Sequence, residues 1–320
     1  MTDKRVDEPT GTEFVGHEWD GIEELDTPLP RWWLIIFYAC IAWAIVWTVL
    51  YPAWPLINSA TQGTLGYSTR GRFEETLAAA EAQRAPLREA IAATPIEELR
   101  NDPQLWQSAV IGGASAFRVY CVQCHGTGAA GGPGYPNLND DDWLWGGDLR
   151  AIEFTIEHGV RNLGHDASRV SQMPAFGRDG ILDDAQIGDL TAYVGLISGQ
   201  REPGSAARRG AALFEANCAV CHGPAGHGLR QFGAPNLTDR IWLYGGDADS
   251  IRATITNSRG GVMPRWGNVL DPVTIRMLTA YVHSLGGGEE MAASEENGGE
   301  ATTDGEGEEA GMESEPDERT

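Results

Sequence analysis

Gly113-Ala114-Ser115-Ala116-Phe117-Arg118-Val119-Tyr120-Cys121-Val122-Gln123-Cys124-His125-Gly126 returns, 97 residues further on, as Gly210-Ala211-Ala212-Leu213-Phe214-Glu215-Ala216-Asn217-Cys218-Ala219-Val220-Cys221-His222-Gly223. Four of the five cysteines lie in these two stretches, each in the order C-x-x-C-H that marks c-type haem attachment. Two thiols separated by two residues sit on one helical turn, where each can form a thioether with a haem vinyl group. The histidine that follows is then held under the iron as the proximal ligand. A zinc ribbon would bring two C-x-x-C pairs into one centre with closer ligands. A redox dithiol has no use for the trailing histidine, still less twice. Upstream, Gly113 and Phe117, like Gly210 and Phe214, place a small residue and an aromatic on one helix face, so a second helix can cross closely there.

The repetition continues downstream in the same order. Pro136-Asn137-Leu138 recurs as Pro235-Asn236-Leu237, and Trp143-Leu144-Trp145-Gly146-Gly147-Asp148 as Trp242-Leu243-Tyr244-Gly245-Gly246-Asp247. Met173-Pro174 recurs as Met263-Pro264, and Leu190-Thr191-Ala192-Tyr193-Val194 as Leu278-Thr279-Ala280-Tyr281-Val282. Such self-similarity predicts two copies of one domain. The methionines follow the motif histidines by 48 and 41 residues. A thioether is a soft ligand that raises the potential of a histidine-bound haem, so Met173 and Met263 are the expected distal ligands. Spacing by itself assigns each methionine to the haem of its own repeat. The Pro-Asn-Leu loop is the expected place for a backbone carbonyl that fixes the proximal histidine's tautomer. His158, His165, His227 and His283 have no matching histidine in the other repeat and read as surface or loop residues; Met277 reads as core. Asp102-Pro103 and Asp271-Pro272 predict helix starts.

Outward from the repeats the character of the chain changes. No charged residue occurs from Trp32 to Thr69. The run Trp32–Tyr51 is long enough to span a hydrocarbon core as a helix, with Trp32, Trp33, Tyr51 and Trp54 as interfacial anchors and Pro52 and Pro55 as its stop. The acidic segment before it does not suit a cleaved signal peptide. Cys40, mid-span, reads as a small apolar residue. Arg31 and Arg70 on either side leave orientation undecided by flanking charge. The expected organisation is an N-terminal segment 1–31, an anchor 32–57, a helix-bearing linker 58–103, haem domains 104–200 and 201–287, and an acidic tail 288–320 too poor in apolar residues to fold.

The formal net charge is −23. Residues 1–30 contribute −7, residues 287–320 contribute −12, and the remainder only −4. Nucleic acid is excluded as a main partner, because binding it requires a cationic surface.

Each repeat resembles a class I cytochrome c domain. The whole of 17–287 resembles the diheme subunit III of cbb3-type cytochrome c oxidases, most specifically through Trp19-Asp20-Gly21-Ile22-Glu23-Glu24-Leu25-Asp26-Thr27-Pro28-Leu29-Pro30-Arg31-Trp32-Trp33 and Leu65-Gly66-Tyr67-Ser68. The resemblance implies an all-α fold with one transmembrane helix and two tandem cytochrome c domains. It implies two covalently bound haems c, held by Cys121, Cys124, His125 and Met173 and by Cys218, Cys221, His222 and Met263, with the methionines open to exchange between domains. The implied place is the bacterial inner membrane, N-terminus cytoplasmic and haem domains periplasmic. Electrons would pass from a donor cytochrome c or a bc1 complex to the monohaem and oxygen-reducing subunits of a proton-translocating oxidase, with no substrate chemistry on this chain. A free-standing tethered diheme carrier and a diheme peroxidase are the alternatives; a peroxidase needs an iron with a vacant ligand position.

Overall fold

The computed structural model describes residues 5–290 and divides the chain into two units, one ending at Pro86 and one starting at Leu87. In the first unit a hairpin precedes the apolar helix. Strands β1 (Phe14–Trp19) and β2 (Ile22–Leu25) pair antiparallel, Trp19 against Ile22 and Glu18 against Glu23. Asp20 and Gly21 between them both take positive φ, which a two-residue type I′ turn requires. The Asp-Gly dipeptide between Trp19 and Ile22 carried this signal, and the sequence reading made no use of it. Helix α1 (Arg31–Leu50) has a mean hydropathy of 2.2 and no buried residue, so it is long and apolar enough to cross a membrane. Its last carbonyls are satisfied by Thr64 and Leu65, which donate to Val49 and Leu50. Helix α2 (Thr69–Ala93) follows.

In the second unit each haem motif sits at the end of a helix and forms a short turn of its own. Helix α3 (Pro103–Tyr120) leads into α4 (Val122–His125), and α7 (Ser205–Asn217) into α8 (Ala219–His222). Both expected N-caps are present: Asp102 accepts from Gln104 and Leu105 at the start of α3, and Asp271 from Val273 and Thr274 at the start of α10 (Pro272–His283). Such caps each contribute about 1 kcal/mol. Helices α5 (Leu149–His158) and α9 (Ala248–Asn257) follow the Trp-containing loops, and α6 (Asp184–Ile197) closes the first repeat as α10 closes the second.

The closing helices are exchanged. Helix α3 packs on α10, and α7 on α6. Gly113 lies so close to α10 that a Cβ there would stand 1.9 Å from the Met277 carbonyl oxygen, and Gly210 so close to α6 that one would stand 2.1 Å from that of Asp189. Phe117 then meets Tyr281 at 5.2 Å between ring centroids, and Phe214 meets Tyr193 at 5.1 Å. One core gathers Phe117, Ile152, Ile156, Ile275, Leu278 and Val282; the other Phe176, Ile187, Leu190, Val194, Phe214, Ile251 and Ile255. Each core thus takes its haem-motif helix from one repeat and its closing helix from the other. A third cluster lays Ile91, Ile96 and Leu99 against Met277 and Ala280, covering the first core.

One expectation is corrected. His283 is buried, with Nε2 2.9 Å from the Glu289 carbonyl oxygen and Trp106 edge-on to its ring, because it lies on the inner face of α10. At the start of the acidic tail Glu289 pairs with Arg230 and exchanges bonds with Gly147, and Glu290 pairs with Arg100. The tail from 291 lies outside the described residues.

Candidate haem sites

The short turns α4 and α8 fix the motif side chains. Cys124 and His125 donate their amides to the Cys121 carbonyl, and Cys221 and His222 to that of Cys218, so both thiols and the imidazole emerge from a single turn. His125 Nδ1 lies 3.2 Å from the Pro136 carbonyl oxygen and His222 Nδ1 3.1 Å from that of Pro235. A carbonyl only accepts, so Nδ1 carries the proton and Nε2 keeps its lone pair for a metal. The expected role of the Pro-Asn-Leu loop is met in both repeats. Burial holds both imidazoles below the ordinary histidine range, opposed in part by those carbonyl bonds. Burial likewise pushes the Cys121 and Cys218 thiols up to about 11, helped by Cys124 and Cys221. Neutral imidazoles and protonated thiols suit an apolar environment.

The methionines reach these sites from the opposite repeat. Met263 packs against the core that contains Phe117 and Cys121, and Met173 against the one that contains Phe214 and Cys218. Backbone pairing sets them there. Met263 and Val160 exchange both amide bonds at 3.0 Å, and Trp266 and Gly267 donate to the end of α5 at Ile156 and Glu157. In the mirror arrangement Phe176 and Gly177 donate to the end of α9 at Ile255 and Thr256, and Ser258 Oγ donates to the Met173 carbonyl.

A cavity of about 390 Å³ opens beside the second motif, lined by Met173, Cys218, Cys221, His222, Phe214 and Trp242 among others. Two tests fit it to a haem. Its walls carry a histidine and a thioether as the candidate ligand pair, and Trp242 Nε1 is buried with no partner among the described residues, ready to donate to an acceptor within the cavity. The guanidinium-bearing residues Arg161 and Arg259 also line it and can meet carboxylates. The cavity extends to Tyr135 and Pro136 of the first motif's loop, so the two sites share a wall. There Gly134 donates to the Leu243 carbonyl at 2.8 Å.

A pair of arginines escaped the sequence reading. Arg169 donates to Thr155 Oγ1 and the Ala151 carbonyl and lies over Trp145; Arg259 donates to Thr254 Oγ1 and the Ser250 carbonyl and lies over Tyr244. Each ties the approach to a methionine onto α5 or α9. Their signal was legible: each stands four residues before a Met-Pro. Of the unmatched histidines, His227 is exposed, whereas His158 and His165 are half-buried and bonded to each other at 2.9 Å.

Two family models match the chain. Residues 11–58 match the N-terminal domain of cytochrome oxidase-cbb3, FixP, and residues 108–194 and 205–282 match cytochrome c oxidase, cbb3-type, subunit III. The chain belongs to the cbb3-type cytochrome c oxidase subunit III family. The cbb3-type cytochrome c oxidase subunit CcoP of Cereibacter sphaeroides is 51% identical over 90% of this chain and 98% of its own length. The subunit FixP of a Bradyrhizobium species is 50% identical over 88% and 98%, and that of Azorhizobium caulinodans 50% over 89% and 96%. This subunit III is therefore an electron-transfer component of a membrane-bound cbb3-type oxidase, built on haem-binding cytochrome c domains. Its partners are the other subunits of that oxidase.

Proposed function

We propose that this subunit carries two covalently attached haems c, each held by a proximal histidine of one repeat and a distal methionine of the other. Cys121, Cys124, His125 and Met263 would hold the first, and Cys218, Cys221, His222 and Met173 the second. The observation that carries the reading is the crossed packing: each methionine loop is hydrogen-bonded to the end of the helix beside the opposite repeat's motif. When bound, the haem iron supplies reversible one-electron oxidation and reduction.

The chain's own residues do the rest. Pro136 and Pro235 orient the imidazoles, the thioethers close the distal side, and the apolar cores keep water out, which favours the reduced state and raises the potential. With a histidine and a methionine to hold each haem, neither site would suit oxygen or peroxide chemistry, so the chain would relay electrons. A donor cytochrome c or a bc1 complex would load it, and the monohaem and oxygen-reducing subunits would unload it across the inner membrane's outer face. The shared wall between the sites supports passage from one to the other. Because c-type haem is attached outside the cytoplasm, residues from about 58 onward, with cytochrome c regions 104–200 and 201–287, would be periplasmic and the N-terminal segment cytoplasmic.

The pairing is tested in a chain that keeps only the second haem, made by Cys121→Ala with Cys124→Ala. There Met173→Ala lowers the remaining haem's midpoint potential and opens it to carbon monoxide, while Met263→Ala leaves both unchanged. The reverse result restores pairing within each repeat.

A further inference from the structure

The hairpin that precedes the apolar helix has no role in holding haem, yet it displays what buried surfaces display. Trp19 is 71% exposed and Ile22 68% exposed, and as a directly paired cross-strand couple they share one face. A two-stranded hairpin in water is marginally stable at best, and large aromatics are what protein interfaces bury at their centres. On the opposite face Glu18 stands directly across from Glu23. Arg5 pairs with Glu23 and lies over the Phe14 ring on the strand pair's other end. Asp20 at the turn and Glu24 add to an acidic surround.

The leash to the membrane is short. Residues 26–30, Asp-Thr-Pro-Leu-Pro, join β2 to α1, and five extended residues reach at most about 18 Å. The hairpin therefore stays beside the membrane surface. Two kinds of surface wait there. Anionic headgroups repel a segment with this charge. The cytoplasmic loops of multi-span membrane proteins are enriched in lysine and arginine, and they attract it.

We propose that the hairpin Phe14–Leu25 is a docking element that seats Trp19 and Ile22 on a lysine- and arginine-bearing cytoplasmic loop of a multi-span membrane subunit, with Glu24, which shares the Ile22 face, meeting those cations. This inference rests on the cytoplasmic placement of the N-terminus proposed above.

The test uses the full chain in its native membrane, with a photo-crosslinking amino acid in place of Ile22. The expected product is an adduct whose partner peptide, mapped by mass spectrometry, lies in a basic loop between two membrane spans. Glu24→Arg lowers its yield about tenfold, since like charges now face each other. Unchanged haem absorbance shows that the cytochrome region still folds in both variants. No adduct, an adduct with phospholipid only, or a yield indifferent to charge reversal overturns the proposal. Protease added outside spheroplasts reports separately on placement: cleavage within the hairpin refutes the cytoplasmic orientation, whereas protection with no protein adduct refutes docking alone.

Discussion

The two haem cores are copies in their chemistry and unlike in their covering. Both hold a C-x-x-C-H turn, a Pro-Asn-Leu carbonyl on Nδ1, an arginine four residues before the methionine, and a glycine at the helix crossing. The first core is then wrapped by the chain's own flanks. Ile91, Ile96 and Leu99 cover one side, and Arg276 donates to the carbonyls of Ile91, Ala92 and Thr94 at the end of α2. On the other side Trp143 Nε1 donates to the Gly287 carbonyl at 2.6 Å. The equivalent Trp242 Nε1 has no such partner. Duplication preserved what ligation requires, and the flanks differentiated the environments. The first core gains stability from its wrapping, and the second keeps a buried donor without a partner among the described residues.

The crossings also differ, and this difference is the sharpest. At α6–α7, Arg209 grips Asp189 with two bonds of 2.6 and 2.7 Å. At the equivalent place of α3–α10, Gly112 makes room for the Met277 sulfur, which a Cβ would approach to 2.6 Å. Pairing within repeats would set Asp189 against Gly112 and Arg209 against Met277, leaving both charges without their partners. Asp189→Met combined with Met277→Asp therefore breaks the exchanged pairing, at a cost of roughly 3 kcal/mol for the carboxylate placed at buried position 277. Adding Gly112→Arg and Arg209→Gly restores a matched pair at each crossing and recovers most of the loss. Thermal unfolding of the four-residue and two-residue variants measures both; no recovery would mean that the pair does not choose the partner.

A smaller effect separates the tryptophans. Trp143→Phe removes the bond to Gly287 and lowers stability by about 1 kcal/mol, whereas Trp242→Phe loses no protein hydrogen bond and leaves the haem-free chain as stable or more so. In the loaded protein the order reverses: only Trp242→Phe shifts a haem midpoint potential. Denaturant unfolding and a redox titration check the two halves, and equal effects at the two tryptophans would erase the distinction.

The smallest effect concerns charge. Burial, together with Asp239, Asp140 and Asp141, pushes the Asp142 carboxyl up to about 6. In an unfolded chain it titrates near 3.9. Between those values the native state binds more protons than the unfolded state, so stability falls as pH rises from about 4 to about 6 and is level above. Asp142→Asn removes the part of this slope that Asp142 carries. The second core has Ile241 at the equivalent position, so Ile241→Asn leaves the slope in place. Melting temperatures across that pH window decide it, and an unchanged slope in the Asp142 variant would contradict the assignment.

Much of the site was legible along the chain. The C-x-x-C-H spacing, the Met-Pro pairs, the Pro-Asn-Leu acceptors and the Asp-Pro caps are local chemistry, in which residues a few positions apart meet on one turn or loop. The arginines before each methionine and the Asp-Gly hairpin turn were equally local and went unread. His283 was misread, since its burial depends on Trp106, distant in sequence.

By itself the sequence determined two C-x-x-C-H motifs, the loops whose carbonyls meet their histidines, an apolar helix able to span a membrane, and two interchangeable closing helices. Leu-Thr-Ala-Tyr-Val fits either Gly-x-x-x-Phe helix, so periodicity could not choose between them. The tertiary structure chose. The short link of residues 198–204 makes α6 and α7 neighbours, Arg209 and Asp189 lock them, and α10 is left to complete the first core against Gly112 and Gly113. Which methionine lies beside which histidine follows from that choice, because each loop must dock where its closing helix has gone.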